Sequence, residues 1–412
     1  MRRINTMLQT ISFTCYSLSS PKSIRSFNFF SQQRRSVHLH GRVSLHASHK
    51  ARKLSPSGID TGSPSGRGNT GTHAYGDRPV NPDTLTSEEY LQENVEKLLQ
   101  WFHGKKNVLC ITGAGISTAS GIPDYRGHNG SYHKGHQPMI HDQFMSSHSM
   151  RKRYWSRSMI GWKEFALASP NDAHYALAKL EEMKIIGVEF DDQSSYHQQD
   201  NNDEAMMRWA FTNGSQKMSI ITQNVDGLHR RAASKHITEL HGRNDRIKCM
   251  SCGSYHCRHE YHDMLEKTNS DWVQEVVKSS SHNSNYTQKQ HLRPDGDAHI
   301  EESSIDKIQI PQCFNCKDGF YKPDVVFFGD SVPKHRVNRC YAAVDACDGL
   351  LCIGSSLAVH SAFRFVQHAS KIGVPIAILN VGETRAEIHG LDVLKIEAPA
   401  AETLDAFVKT FQ

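Results

Sequence analysis

Residues 222–241 read TQNVDGLHRRAASKHITELH and gather two carboxamides, a carboxylate and a histidine: Gln223, Asn224, Asp226 and His241. A carboxamide holds a hydroxyl or a water without itself titrating. Histidine is the side chain whose ordinary pKa suits general-base work near neutral pH. Upstream, residues 106–126 read KNVLCITGAGISTASGIPDYR, an apolar run entering a glycine turn of the kind that holds a dinucleotide. A nucleotide cradle and a base-bearing polar cluster together point to cleavage of a glycosidic bond. Taken alone, a histidine before a glycine is more often structural, and Asp226 before Gly227 also reads as a turn residue.

In the glycine turn, Gly113, Ala114 and Gly115 follow the apolar run directly, and Ile116, Ser117 and Thr118 open what reads as a helix. Small residues let the backbone approach a pyrophosphate, whose charge a helix amino terminus stabilises. The third glycine of the ordinary dinucleotide fingerprint is missing, with Thr118 in its place, so the turn alone is a weak signal. The next residues sharpen it. Pro123, Asp124, Tyr125 and Arg126 lie on a loop bounded by Gly121 and Gly127, which can cover a nucleotide while the aromatic ring excludes water.

The strongest local signal is in the cysteines. Cys249 with Cys252, and Cys313 with Cys316, make two Cys-x-x-Cys pairs that together complete a tetrahedral set for zinc. Four thiolates leave no coordination position for water, so this zinc is expected to be structural. Cys257, His256 and His259 are competitors for one ligand place, and a redox dithiol is the other reading. Cys110 and Cys352 sit inside apolar runs and read as core, while Cys340 and Cys347 fall on a predicted helix.

These groups need a scaffold. Thr86 and Glu89 have capping-box spacing, and Leu91, Val95, Leu98, Leu99 and Phe102 follow with helical period. NVLCIT, MSIIT (218–222), DVVFF (324–328), GLLCIG (349–354) and PIAILNV (375–381) are continuous apolar runs of the type buried in a parallel sheet. Helical patterns lie between them, as at 363–372. The alternation predicts an α/β fold: a doubly wound, Rossmann-like parallel sheet with a smaller zinc-binding and helical module. The Rossmann parts fall at about 86–130, 215–245 and 322–412, the helical module at about 131–188 and the zinc module at about 246–321. Residues 189–217 and 258–310 are polar and read as surface insertions without the periodicity to add a core layer.

Residues 1–59 contain no Asp or Glu yet are rich in Arg and Ser, the composition of a mitochondrial transit peptide, with a disordered basic tail as the alternative. Residues 60–85 read as a linker. The mitochondrial matrix is the expected compartment, with a plastid as the alternative. Part of the net charge of +5 lies in this first segment, so it is no nucleic-acid signature, and no apolar run approaches the roughly 20 residues that span a bilayer. Neither nucleic acid nor a membrane is an expected partner. The apolar fraction of 37% is low for a fully packed chain of this length and points to inserted or disordered sequence.

GAGISTASGIPDYRG, TQNVDGLH, ELHG, the two cysteine pairs, KPDVVFFGD, GSSL and ILNVG occur in one order, and over residues 86 to about 400 the chain resembles the sirtuins. RYWSRSMIGW, LRPDGD and KPDVVFFGD are similar to the mitochondrial sirtuin-four type. The resemblance implies a catalytic domain over 86–412, expected to be monomeric, that uses NAD to remove acyl groups from lysine side chains of mitochondrial proteins. Nicotinamide and O-acyl-ADP-ribose would be the products. It implies that His241 takes a proton from a ribose hydroxyl, with Asn224 beside it, and that Gln223, Asn224, Val225 and Asp226 belong to the cofactor pocket. Gly354, Ser355 and Ser356 end a strand, where ligands bind in open parallel sheets, and Asn380, Val381 and Gly382 would meet the adenosine side. Val325, Val326, Phe327, Phe328 and Gly329 match the segment that adds the substrate peptide as an extra strand.

Tyr154 and Arg157 have the spacing to share a helix face, and in sirtuins that prefer acidic acyl chains such a pair receives the distal carboxylate. The other reading is an arginine facing solvent from a surface helix. Ala119 and Arg243 depart from what many relatives carry, without removing a catalytic group. Mono-ADP-ribosyl transfer from the same cofactor, a non-catalytic zinc and nucleotide-binding module, and a dehydrogenase with structural zinc are the competing functions. The missing fingerprint glycine counts against the last.

Overall fold

A computed structural model describes residues 87–127, 129–191, 216–281, 293–298 and 302–412; the expected transit segment 1–59 and linker 60–85 lie outside them. In chain order the strands are β1 (Val108–Thr112), β2 (Val188–Phe190), β3 (Gln216–Met218), β4 (Ile220–Thr222), β5 (Ile237–Glu239), β6 (Gly242–Cys249), β7 (Tyr255–Cys257), β8 (Tyr321–Val325), β9 (Gly349–Ile353), β10 (Ile376–Leu379) and β11 (Leu394–Ile396). Six of them form a parallel sheet in the order β11-β10-β9-β1-β4-β5. The chain begins at the centre with β1, moves outward through β4 and β5, then returns to the other side of β1 as β9. That reversal makes the β1–β9 boundary a switch point, where open α/β sheets leave a crevice beyond the carboxyl ends of their strands. Thr112 is level with Thr222 on one side and Ile353 on the other, so Gly113, Gln223 and Gly354 emerge together at that crevice.

Every residue of β1 and β9 is buried, because helices cover both faces. Alternate residues feed different cores. Leu109, Ile111, Leu350 and Cys352 pack with Phe363, Phe365 and Val366 of the helix His360–Lys371. Val108, Cys110, Leu351 and Ile353 face the helices Glu88–Phe102, Asp172–Glu182 and Ala400–Lys409 through Leu98, Leu177 and Phe407. Each fully buried Leu or Phe contributes roughly 1.5–3 kcal/mol, so the two layers together hold the strand ends in place.

The DVVFF run does not join this sheet. β8 starts earlier, at Tyr321, and pairs antiparallel with β6 in a separate sheet of order β7-β6-β8. A continuous apolar run carries no information on which sheet takes it. The Rossmann part therefore resumes at the helix Lys334–Asp345 rather than at 322.

The described parts of 258–310 are likewise no surface insertion; residues 282–292 and 299–301 lie outside the described residues. The helices Arg258–Thr268 and Ser270–Ser281 bury Tyr261, Leu265 and Trp272 in one core with Ile308, and with Phe144, Tyr154, Trp155 and Met159 of the helical module. The helical module is shorter than expected. The helices His141–Ser146 and His148–Leu167 build it, whereas Asp172–Glu182 packs on the parallel sheet. Residues 189–217 enter and leave as the antiparallel pair β2–β3, with Val188, Phe190 and Met218 in the first core; 192–215 lie outside the described residues. At the first helix the N-cap is Ser87 rather than Thr86, its Oγ accepting from Tyr90 N at 3.4 Å, and Thr86 is outside the described residues.

Candidate active site

The crevice is set by two backbones that touch. Gly115 N donates to Gly354 O at 2.8 Å. A Cβ on Gly113 would stand 2.7 Å from Ser355 Cβ, and one on Gly115 would stand 2.8 Å from Gly354 O. Glycine is thus required at both positions. Gly354 itself has φ +57°, a left-handed backbone that glycine adopts without steric penalty. The turn runs on as a 3-10 segment, Ala114–Ser120, rather than the start of an α-helix. Ile116 turns its side chain into the core beneath, so it offers only backbone to the crevice, and Thr118 Oγ1 donates to Gly115 O at 2.9 Å.

A chain of polar side chains lines the floor. Gln223 Nε2 donates to Ser355 Oγ at 2.8 Å and to Thr112 O at 3.3 Å, tying the ends of β4, β1 and β9 together. Asn224 Nδ2 donates to Gly113 O and to Ser117 Oγ, both at 3.1 Å. Ser117 Oγ in turn donates to Asp226 Oδ2 at 2.8 Å, and Leu228 N donates to Asp226 Oδ1 at 2.9 Å. Asp226 therefore acts as a turn residue with one oxygen, accepting from Leu228 N, and joins the polar cluster with the other. Burial raises its pKa, and these two donors oppose the rise. Val225 sits behind the floor against Leu228, Ile122 and Trp162.

His241 follows β5, which is aligned on β4 so that Leu240 N donates to Thr222 O at 2.8 Å. Its Nδ1 lies 2.9 Å from Gln223 O. A carbonyl oxygen only accepts, so Nδ1 carries the proton and Nε2 carries the lone pair. Burial brings the ring's pKa down to about 4, with Arg336 and Arg364 lowering it further and the Gln223 carbonyl opposing. Nε2 is 2.7 Å from Ser361 Oγ, a residue that no motif or spacing singled out.

At the ends of β9 and β10, Ser356 O accepts from Arg385 N at 2.9 Å, and Asn380 Nδ2 donates to Val381 O at 2.8 Å and Gly382 O at 3.2 Å. Val381 is exposed at this rim. The segment expected to form a covering loop is held by contacts of its own. Asp124 Oδ1 accepts from Gly127 N at 2.9 Å, the Tyr125 ring lies tilted 5.4 Å from Tyr132, and the Arg126 guanidinium lies 4.9 Å over the Tyr132 ring. Pro123 and Arg126 are only half-buried.

Tyr154 and Arg157 share one face of the helix His148–Leu167, and that face is buried, so the solvent-facing reading of Arg157 is overturned. Tyr154 sits among Phe144, Trp155 and Phe327 at ring distances of 5.4, 5.1 and 5.3 Å. Arg157 acts on Asp297, whose carboxyl pKa burial pushes well up, with Asp295 adding to the rise. Asp297 arrives on residues 293–298, one described part of a tract read as surface insertion. Ala298 N donates to Arg157 O at 3.2 Å, and a Cβ on Gly161 would meet Gly296 O at 2.4 Å, so this segment lies flat on the helix.

The segment expected to bind substrate is joined to His241. Val326 N donates to His241 O at 2.8 Å, and Phe328 O accepts from His141 N at 2.9 Å, in a parallel bridge of Ile140 with Phe328. Val325 ends β8, Phe327 is covered by Lys322 Nζ 4.4 Å over its ring, and Gly329 turns the chain with φ +81°. Phe328 and Ile140 are exposed.

The four cysteines meet as expected. Cys249 Sγ is 3.8 Å from Cys316 Sγ, Cys252 Sγ is 3.7 Å from Cys313 Sγ, and all four sulfurs lie within 4.8 Å of one another. Thiolates bound at roughly 2.3 Å in a tetrahedron stand roughly 3.8 Å apart, so the set fits a zinc ion. Backbone N–H groups of Cys252, Asn315 and Gly319 point at the sulfurs from 3.5, 3.4 and 3.3 Å. A Cβ on Gly319 would stand 2.4 Å from Cys249 Sγ. Among the described residues, Cys257, His256 and His259 are not in this group.

A doubly wound parallel sheet with an imidazole at its switch point, joined to a module whose four cysteines could hold a metal ion, defines an α/β protein of the nucleotide-binding class. The profile of the Sir2 family matches residues 113–191 and 191–361. The chain is 36% identical over 311 residues to an NAD-dependent protein deacetylase of Bordetella bronchiseptica, covering 76% of this chain and 96% of that one. It is 36% identical over 316 residues to the NAD-dependent protein deacylase Sirt4 of Drosophila melanogaster (76% and 86%) and 37% identical over 332 residues to the NAD-dependent protein deacylase SRT2 of Arabidopsis thaliana (80% and 79%). A solved Sir2 enzyme superposes with TM-score 0.52 at 27% identity, covering 78% of this chain and all of that one. A Sir2 complex with a p53 peptide and NAD+ shares the fold at TM-score 0.52 and 24% identity, over 77% of this chain and 98% of that one. The chain belongs to the Sir2 family and is an enzyme of that family.

Proposed function

We propose that this protein is an NAD-dependent protein-lysine deacylase that releases nicotinamide and passes the acyl group to ADP-ribose, acting as a monomer on proteins of the mitochondrial matrix. The observation that carries the reading is the His241 tautomer: Nδ1–H is committed to Gln223 O at 2.9 Å, leaving Nε2 as a neutral base in the crevice. The crevice suits a dinucleotide, since Gly113 and Gly115 leave bare backbone where any Cβ would collide. When bound there, NAD supplies a ribose whose nicotinamide can leave.

The chain's own residues do the rest. Gly113, Gly115 and residues 354–356 would offer backbone to the phosphates of that cofactor, and 380–382 to its adenosine end. Both N–H groups of the Asn224 amide are committed, so its oxygen is held in one direction, and Ser117 with Leu228 N fixes the Asp226 carboxylate. Such preorganised dipoles cost no reorganisation when charge develops. His241 accepts a hydroxyl proton at Nε2. Residues 325–329 receive the acylated peptide as a strand, and their register reaches the base through the Val326 N to His241 O bond. Tyr125 and its loop exclude water.

Purified protein, NAD and a panel of acyl-lysine peptides test this reading, with acetyl, lipoyl, glutaryl, methylglutaryl and hydroxymethylglutaryl members. The expected result is nicotinamide release with O-acyl-ADP-ribose, abolished by His241→Ala. No nicotinamide with any peptide overturns the reading, and a stable protein adduct in place of the acyl product replaces it with ADP-ribosyl transfer. The acid-free composition of residues 1–59 supports matrix import. A reporter fused to that segment and found in the cytosol refutes it.

A further inference from the structure

We infer that Ser361 is a positioning residue for His241, its hydroxyl holding Nε2 while the Gln223 carbonyl holds Nδ1, so that the imidazole is suspended by both nitrogens. The inference rests on the deacylase reading for its kinetic consequence, though not for its geometry. With Nδ1 the donor to Gln223 O, the neutral ring can only accept at Nε2, so the 2.7 Å contact has Ser361 Oγ–H donating. The two anchors come from different parts of the fold, Gln223 from the end of β4 and Ser361 from the first turn of the helix His360–Lys371.

That helix gives a rigid mount. Ala362, Phe363, Phe365 and Val366 around Ser361 are fully buried in the first core, and Phe363 N donates to Val359 O at 3.1 Å. Arg364 Nε donates to Ser361 O at 3.1 Å, fixing the serine backbone while placing a guanidinium close to the imidazole. Arg336, tied to Leu240 O at 3.1 Å, supplies the second cation facing the ring. The neutral base is thus surrounded by cations and oriented by a carbonyl and a hydroxyl. A serine hydroxyl turns about one bond, so Ser361 can keep the ring in plane in the free enzyme and yield Nε2 to an incoming hydroxyl without movement of the helix.

A net hydrogen bond of this kind sets the scale at threefold to tenfold in rate. Ser361→Ala is expected to lower kcat by that factor with KM for NAD within about threefold, and Ser361→Thr to restore kcat. In histidine-labelled protein without NAD, the His241 Nε2 nitrogen resonance is expected to move in Ser361→Ala and return in Ser361→Thr. An unmoved Nε2 resonance overturns the inference whatever the kinetics show. If wild-type protein releases no nicotinamide, the deacylase reading fails alone, and the resonance still decides whether Ser361 holds the ring. Unchanged kcat beside a moved resonance overturns the positioning role.

Discussion

Replacing His241 by Gln removes a group whose pKa differs between the folded and unfolded chain, and the resulting change in acid stability can be calculated. A histidine in the unfolded chain titrates near 6.5, whereas burial holds His241 at about 4. Between these values the unfolded chain binds a proton that the folded one does not. The stability linked to the neutral ring is therefore complete above pH 6.5 and is lost as the pH falls toward 4. At about 1.4 kcal/mol per unit, the whole loss is about 3 kcal/mol, of which about 2 kcal/mol falls between pH 7 and pH 5. The side chain keeps some contact with water at the crevice, which makes these upper figures. His174 and His136, also brought to about 4 by burial, shift in the same sense but are present in both proteins and cancel in the difference. Urea unfolding of wild type and His241→Gln at pH 7 and pH 5 is the assay. Wild type is expected to lose up to about 2 kcal/mol more than the variant. Equal losses would show that the ring is protonated in the folded protein at pH 5, and the neutral-base assignment would fall.

Further outcomes follow from other parts of the molecule. Stripping the metal with a strong chelator, or Cys316→Ser, is expected to melt the thiolate module and the helices packed on it, since structural zinc contributes roughly 10–16 kcal/mol in small zinc domains; unchanged thermal unfolding would reject a structural ion. Gly115→Ala drives a Cβ to within 2.8 Å of Gly354 O, and overpacking of this kind costs about 1–3 kcal/mol, readable as a lowered Tm. An unaltered Tm and NAD affinity would mean the two strand ends can part. Arg157→Ala is expected to weaken carboxyl-bearing acyl groups selectively, and an equal loss on every acyl peptide rejects the carboxylate-receiving role.

The parts of the protein legible in its sequence are those whose physics is local. Gly113 and Gly115 after a five-residue apolar run announced a strand end with bare backbone, because only a buried parallel strand is apolar on both faces. The two Cys-x-x-Cys pairs announced a tetrahedral site, because two intervening residues are enough to bring both thiolates to one ion. Polar composition misled at 258–310, where Tyr261, Leu265 and Trp272 supply a buried face inside an otherwise hydrophilic stretch. Sheet membership misled at 324–328, since pairing partners are chosen by distant chain.

The residue types of the crevice were therefore written in the chain, but its working state was not. That the His241 imidazole is neutral, with its lone pair at Nε2, depends on burial, on Arg336 and Arg364, and on a carbonyl that β4 carries to within 2.9 Å. That Ser361 meets its other nitrogen depends on a helix entered after β9 has crossed back to the far side of β1. Protonation state and hydrogen-bond partner are properties of an environment, and in this protein that environment comes from strands and helices far apart in sequence, brought together only by the order of the sheet.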